Sequence, residues 1–194
     1  PDISHSGEKI AFSTRFGETS TLATVNTDGT EFTTFVEGDN PRWSPDDSVI
    51  AFDRVTSTTG RDIFTLDLAT GAVTQLTSDT SNNATPSWSP DGSQLVFSSN
   101  RVGGNYHIFT MSADGSNIVQ LTQGNSRNGL PNWASDNFVY FNSNAGSSRQ
   151  GVRDIWRLVP NASPVTETSE EPESEEAEAS DDADSEDDAD SESD

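Results

Sequence analysis

The chain has no cysteine, which excludes disulfides and every thiolate metal site. Lysine occurs once, at Lys9, against nine arginines. That scarcity is what either a salt-adapted organism or a GC-rich genome produces. Lys and Arg together number 10 against 33 Asp and Glu, for a formal charge of −23. No basic patch is available to pair with phosphates, so composition argues against nucleic-acid binding, and none is expected. No run approaches 18 apolar residues, the length an apolar helix needs to cross a membrane. No Gly-x-Ser-x-Gly elbow, phosphate-binding glycine loop or His-Glu-x-x-His helix occurs. Histidine is limited to His5, where a turn proline of the repeat described below belongs, and His107, which enters a strand. These absences leave no catalytic, cofactor-binding or metal-ligating residue to nominate. Neither a signal peptide nor a lipidation motif is visible. The chain starts without methionine on the first residue of a repeat, as a piece or a processed form would.

What the chain does have is a repeat. Pro41-Arg42-Trp43-Ser44-Pro45-Asp46-Asp47 returns as Pro86-Ser87-Trp88-Ser89-Pro90-Asp91-Gly92 and, more weakly, as Pro131-Asn132-Trp133-Ala134-Ser135-Asp136-Asn137. A degraded copy, Pro1-Asp2-Ile3-Ser4-His5-Ser6-Gly7, opens the chain, so the leading prolines lie 40, 45 and 45 residues apart. A period in the low forties built of strand formers marks a propeller blade. After each turn comes an apolar run read as a buried strand: Ile10-Ala11-Phe12, Ile50-Ala51-Phe52, Leu95-Val96-Phe97 and Val139-Tyr140-Phe141. A third strand follows a loop of variable length, at Leu22–Val25, Ile63–Leu66, Ile108–Met111 and Ile155–Leu158. Asp28-Gly29, Thr70-Gly71 and Asp114-Gly115 then supply tight turns into a fourth strand at Phe32–Val36, Val73–Thr77 and Ile118–Thr122. In repeat four, Val165–Thr168 falls where the fourth strand belongs.

Ser-Pro-Asp-Gly has a local account. Proline presets φ for the second turn position, Asp bonds the backbone from the third, and Gly suits the fourth. Asp47 and Asn137 replace that glycine, and both types tolerate left-handed geometry. These aspartates read as turn chemistry before calcium or catalysis. The fixed phase of Trp43, Trp88 and Trp133 reads as packing between blades before sugar stacking. Arg61-Asp62-Ile63-Phe64 and Arg153-Asp154-Ile155-Trp156 form a second recurring element, read as a structural ion pair or as a polar lining that grips a ligand. Asn83-Ala84-Thr85 and Asn161-Ala162-Ser163 are glycosylation sequons, the second handicapped by Pro164.

These motifs resemble the repeat of TolB-type β-propellers, in which Trp-Ser-Pro-Asp-Gly precedes Ile-Ala-Phe and a later Leu-Thr ends the unit; Leu76-Thr77 and Leu121-Thr122 match that ending. The resemblance covers residues 1–169. It implies an all-β propeller with four visible blades of four antiparallel strands, spanning about 1–40, 41–85, 86–130 and 131–169. Family rings usually have six blades, so the four form either a ring or part of a larger one. The resemblance also implies a non-enzymatic scaffold for protein partners in the periplasm, on the cell surface or outside the cell, with no cofactor. Irregular inserts at 56–60, 100–104 and 145–150 are the expected contact loops, with Thr58, Arg61, Asn100, Arg101, Arg149 and Arg153 as candidate partner-binding residues. The alternative is the propeller of a prolyl oligopeptidase-like or carbohydrate-active enzyme whose catalytic part lies elsewhere.

Residues 170–194 hold 15 of the acids, no Lys or Arg, and nothing apolar larger than Ala apart from one Pro. With nothing to bury against the entropy of ordering, this tail is expected to be disordered, solubilising, and able to bind cations weakly.

Overall fold

The computed structural model describes residues 1–16, 19–57, 60–146, 153–160 and 165–166; the tail and the calls at Thr58 and Arg149 lie outside these residues. Among them the regular structure is entirely β. The first sheet contains β1 (Asp2–Ile3), β2 (Lys9–Phe16), β3 (Thr19–Asn26) and β4 (Thr33–Glu37) in chain order. The second contains β5 (Asp39–Trp43), β6 (Val49–Val55), β7 (Arg61–Asp67) and β8 (Val73–Gln75). The third contains β9 (Asn83–Trp88), β10 (Gln94–Ser99), β11 (His107–Ser112) and β12 (Val119–Gln120). A short β13 (Thr122–Gln123) leads to the fourth sheet, β14 (Asn128–Trp133), β15 (Val139–Ser143) and β16 (Asp154–Leu158), and β17 (Val165–Thr166) follows. Pairing within these four sheets is antiparallel throughout, and β13 and β17 pair separately.

The fourth sheet corrects the reading of Val165–Thr168 as its outer strand. Three strands pair there among the described residues, and β17 lies parallel to β13, with Thr122 opposite Val165 and Gln123 opposite Thr166. The cause is turn chemistry. In the other repeats a glycine at positive φ (Gly29, Gly71, Gly115) closes the hairpin into the outer strand. Between Leu158 and Val165 there is no glycine, and Pro160 and Pro164 interrupt the chain.

The strand-to-strand turns obey the sequence logic. Gly7, Asp47, Gly92 and Asn137 each donate their N–H to the carbonyl three residues back, at 2.9 to 3.0 Å. All four sit at φ of 59 to 74°. Asp91 accepts from the Ser89 and Ser93 hydroxyls and the Ser93 N–H, and Asp46 does the same with Ser44 and Ser48. Asp47 adds something the motif did not announce: its carboxylate accepts from the His5 and Ser6 N–H groups at 2.7 and 2.8 Å, fastening one blade's turn to the last.

The core lies between sheets. Trp43 packs with Ala11 and Ile50, Trp88 against the cluster of Ala51, Ile63 and Phe97, and Trp133 with Val96 and Ile108. The tryptophans thus fill the junctions, and the Ala of Ile-Ala-Phe is small because the next blade's indole group rests there. Phe52 stacks on Phe64 and Phe97 on Phe109, at 5.6 and 5.8 Å between centroids. The Leu-Thr ending also has a cause. The Thr77 hydroxyl accepts from the buried Ile63 N–H and donates to Asp62, and Thr122 accepts from Ile108 N–H, each at 2.9 Å. A threonine here satisfies a backbone donor that the outer strand leaves unpaired.

Two tests follow. A methyl group on Gly38 would collide with the fully buried Phe52 ring and crowd Leu22. Gly38→Ala should therefore lower the unfolding free energy by about 1–3 kcal/mol in a urea titration. The second concerns acid. Hydrogen bonds from Ser89, then Ser93, hold Asp91 down from 3.8 to about 2. A depressed carboxyl group stabilises the fold above its unfolded pKa, and that stability is lost as pH falls through its folded value. The melting temperature should fall between about pH 4 and pH 2, and Asp91→Asn should flatten part of that slope.

Candidate functional site

Successive strands alternate direction, so each blade has two ends. One carries the Ser-Pro-Asp and Asp-Gly turns. The other carries the longer loops and the passages from blade to blade, and here polar side chains gather.

At the first passage Arg61 bridges two carboxylates: its Nε donates to Asp53 at 2.7 Å and its Nη2 pairs with Asp39. Asp53 is fully buried, and it also accepts from the Asn40 side chain and from the Thr85 N–H on the next blade, each at 2.8 Å. Burial pushes its carboxyl group upward against the opposing pull of Arg61. Arg61 therefore does not pair with its neighbour Asp62, which is buried among Thr56, Thr77, Gln75 and Asn83.

At the second passage Arg101 folds inward. Its guanidinium donates to Asn83 and Ser99, pairs with Asp79 at 3.0 Å, and lies over the Phe97 and Phe109 rings. Asn100 accepts the Asn82 N–H at 2.8 Å. Asn83, the first sequon, is completely buried in this network, so the folded chain offers no acceptor there.

The third passage differs. Tyr106, Arg127, Leu130 and Arg153 line a cleft of about 200 Å³ with Thr85 and Ser98. The Arg127 guanidinium lies 5.1 Å from the centre of the Tyr106 ring. Exposed Arg153 donates to Asn142 Oδ1 at 3.1 Å. Among the described residues neither arginine has a carboxylate partner, whereas Arg42, Arg61 and Arg101 do. A second recess of about 220 Å³ shares Thr85 and Leu130 and continues past Asn40, Pro41 and Pro131.

Asn40, Thr85 and Leu130 were not singled out in the sequence. Each directly precedes a repeat proline, sits at φ of 49 to 54°, and marks a register shift on the inner strand. A residue before proline is normally extended, and a β-branched or bulky residue at positive φ is an outlier. Such strain costs about 1–3 kcal/mol per residue and persists only where the surroundings impose it. For Thr85 the imposing contact is Asp53. Leu130, at positive φ, is also 62% exposed. Of the nominated residues, then, Arg61, Asn100 and Arg101 are committed to internal contacts, and Arg153 lines the open cleft. Arg127 and Tyr106 were missed, because the cleft exists only when two repeats are juxtaposed. Among the described residues, no group of three or more His, Asp or Glu is placed to hold a metal ion. Among the described residues no helix is long and apolar enough to cross a membrane.

A family model described as the TolB beta propeller domain matches residues 1–176. An Agrobacterium tumefaciens structure described as a TolB superposes with a TM-score of 0.67 at 26% identity, over 73% of this chain and 52% of that one. The TolB of Acinetobacter baumannii gives 0.64 at 26% identity, over 78% of this chain and 39% of its own. A prolyl endopeptidase structure gives 0.61 at 17% identity, over 84% of this chain and 26% of that one, a likeness of fold alone. The chain thus spans about half or less of the proteins it resembles. No curated protein sequence matches it closely enough to count as a relative.

The division between committed and uncommitted arginines is measurable. Arg101→Ala should lower the unfolding free energy by about 2 kcal/mol, since it strips partners from a buried network. Arg153→Ala should change it by less than about 0.5 kcal/mol, as surface substitutions usually do. Equal losses in urea melts would contradict the division.

Proposed function

Because the chain belongs to the TolB beta propeller domain family, we propose that it is a non-enzymatic scaffold for protein–protein interaction in the cell envelope or extracellular space. The observation that carries this reading is the recess at the loop end. There Asn40, Thr85 and Leu130 are held at positive φ on adjacent inner strands, and Leu130 remains largely exposed. An exposed leucine in a strained, rigidly supported backbone is an apolar contact point that costs stability to keep. Loops carried on a rigid sheet array are where partners are generally met. At about 220 Å³ the recess is smaller than the usual small-molecule pocket of about 300–1,000 Å³ and suits side chains of an extended segment.

The rival reading, a propeller belonging to a peptidase, draws on the fold likeness to a prolyl endopeptidase. It requires this chain to act beside a hydrolase, and turnover of a prolyl peptide by the intact protein would support it.

Leu130→Asn tests the scaffold reading. Asn tolerates positive φ better than Leu, so the variant should melt no earlier than the parent. It should nevertheless lose capture of envelope or secreted proteins from the source organism, in cross-linking experiments with Glu8→Ala, an exposed residue at the turn end, as control. Undiminished capture by Leu130→Asn would remove the recess from the function.

A further inference from the structure

The arginine at the entry to the third strand recurs with different company: Arg61 is the first residue of β7, and Arg153 directly precedes β16. In the second blade Arg61 is neutralised by Asp39 and Asp53. In the fourth blade the matching positions, counted from the repeat proline and from the buried phenylalanine, hold Gly129 and Asn142. Arg153 has therefore lost both carboxylates while keeping its charge. Arg127 stands in the same cleft, held over Tyr106 but not ion-paired among the described residues. Two cations share a partly apolar cleft in a chain of formal charge −23. The site is suited to carboxylates, which an arginine fork accepts in bidentate fashion.

We propose that this cleft is a carboxylate-binding site, and that its occupant in the resting protein is the chain's own acidic run, beginning at Glu170. Direction and reach support that occupant. β17 runs parallel to β13, with Thr166 opposite Gln123. At Thr166 β17 therefore points the same way as β13 does at Gln123, toward the end of the sheet where Arg127 lies. Glu170 stands four residues beyond Thr166, as Arg127 stands four beyond Gln123, and four residues can span at most about 13–14 Å, so the acidic run begins within reach of the cleft. Fifteen interchangeable acids on a tether keep the local carboxylate concentration in the millimolar range. Each exposed pair is weak and screened by salt, so the docked tail exchanges rapidly and can be displaced. The tail then acts as a built-in competitor, holding the cleft against dilute anions and yielding to a partner that adds contacts at Leu130. This deepens the scaffold reading and rests on it only for that last step.

The absence of cysteine makes the test clean. Ser174→Cys in the full chain gives one site for a nitroxide label, read by paramagnetic broadening of backbone amide signals. At low salt the label should broaden Tyr106, Asn128 and Gly129 while sparing Asp91 and Gly92 at the turn end. Molar salt should restore those signals, and Arg127→Gln with Arg153→Gln should restore them at low salt. Equal broadening at both ends, or broadening indifferent to salt and to the arginines, would overturn the proposal. So would an undisturbed cleft that shifts only on adding hexaglutamate, because the carboxylate would then have to come from a partner. None of these outcomes depends on partner capture at Leu130, so the two readings fail separately.

Discussion

A blade of three or four short strands has two faces and too few residues to cover either by itself. Each sheet here solves this by lying on the sheet before it, and the rest of the structure follows from that contact. The apolar clusters cross blade boundaries: Ala51 and Ile63 of one sheet with Leu95 and Phe97 of the next, Val96 and Ile108 with Trp133 and Val139. Small residues receive and indole groups fill, in the same phase each time. Burying aromatic side chains of this size is worth several kcal/mol apiece, on the scale of about 3–5 kcal/mol lost on truncation to Ala. No polar contact in the molecule acts on a comparable scale at so many repeated positions.

Close stacking has a polar consequence. Strand ends brought together at the blade-to-blade passages bury backbone and side-chain groups that must be paired. The two ends answer differently. At the turn end, Asp46, Asp91 and Asp136 bond their own turns, and Asp47 fastens its neighbour's. Their hydrogen bonds are met locally, and those bonds favour the ionised carboxylates, so this end stays negative. At the loop end the links run between blades. Asp53 reaches Thr85, Asn83 reaches Asp62, and the cost of that long-range pairing includes backbone strain on the inner strands. Strain and uncommitted cations coincide at this end, which is the physical reason to look for binding there.

The architecture was legible in the sequence because it is repeated. Four turns with one hydrogen-bond pattern, three tryptophans in one phase and the Leu-Thr ending all reflect local chemistry or a junction used more than once. What escaped was non-repeated or non-local. Val165–Thr166 departs from the pattern because the hairpin glycine is missing there, and period alone does not show where such a segment goes instead. The strain at Thr85 is invisible in a string in which Thr before Pro reads as extended chain, since the carboxylate that imposes it lies 32 residues earlier. Asn100 and Arg101 looked like loop contacts because a polar insert is the usual sign of a binding loop. Only the fold shows that they turn inward.

Repetition also explains how a site can arise without a catalytic motif. One repeat position carries Arg61 in the second blade, where it is the first residue of β7, and Arg153 in the fourth, where it directly precedes β16. The difference lies in the partners. Asp39 and Asp53 turn Arg61 into a clasp across the strands of its own sheet, and Asn142 leaves Arg153 to solvent. Losing the clasp in one blade is tolerable because the stacked aromatic groups, not the ion pair, carry most of the stability. A repeat array can therefore free a charged residue at one copy while keeping it structural at another. That is how a scaffold whose blades are built alike can carry a binding face that belongs to one junction alone.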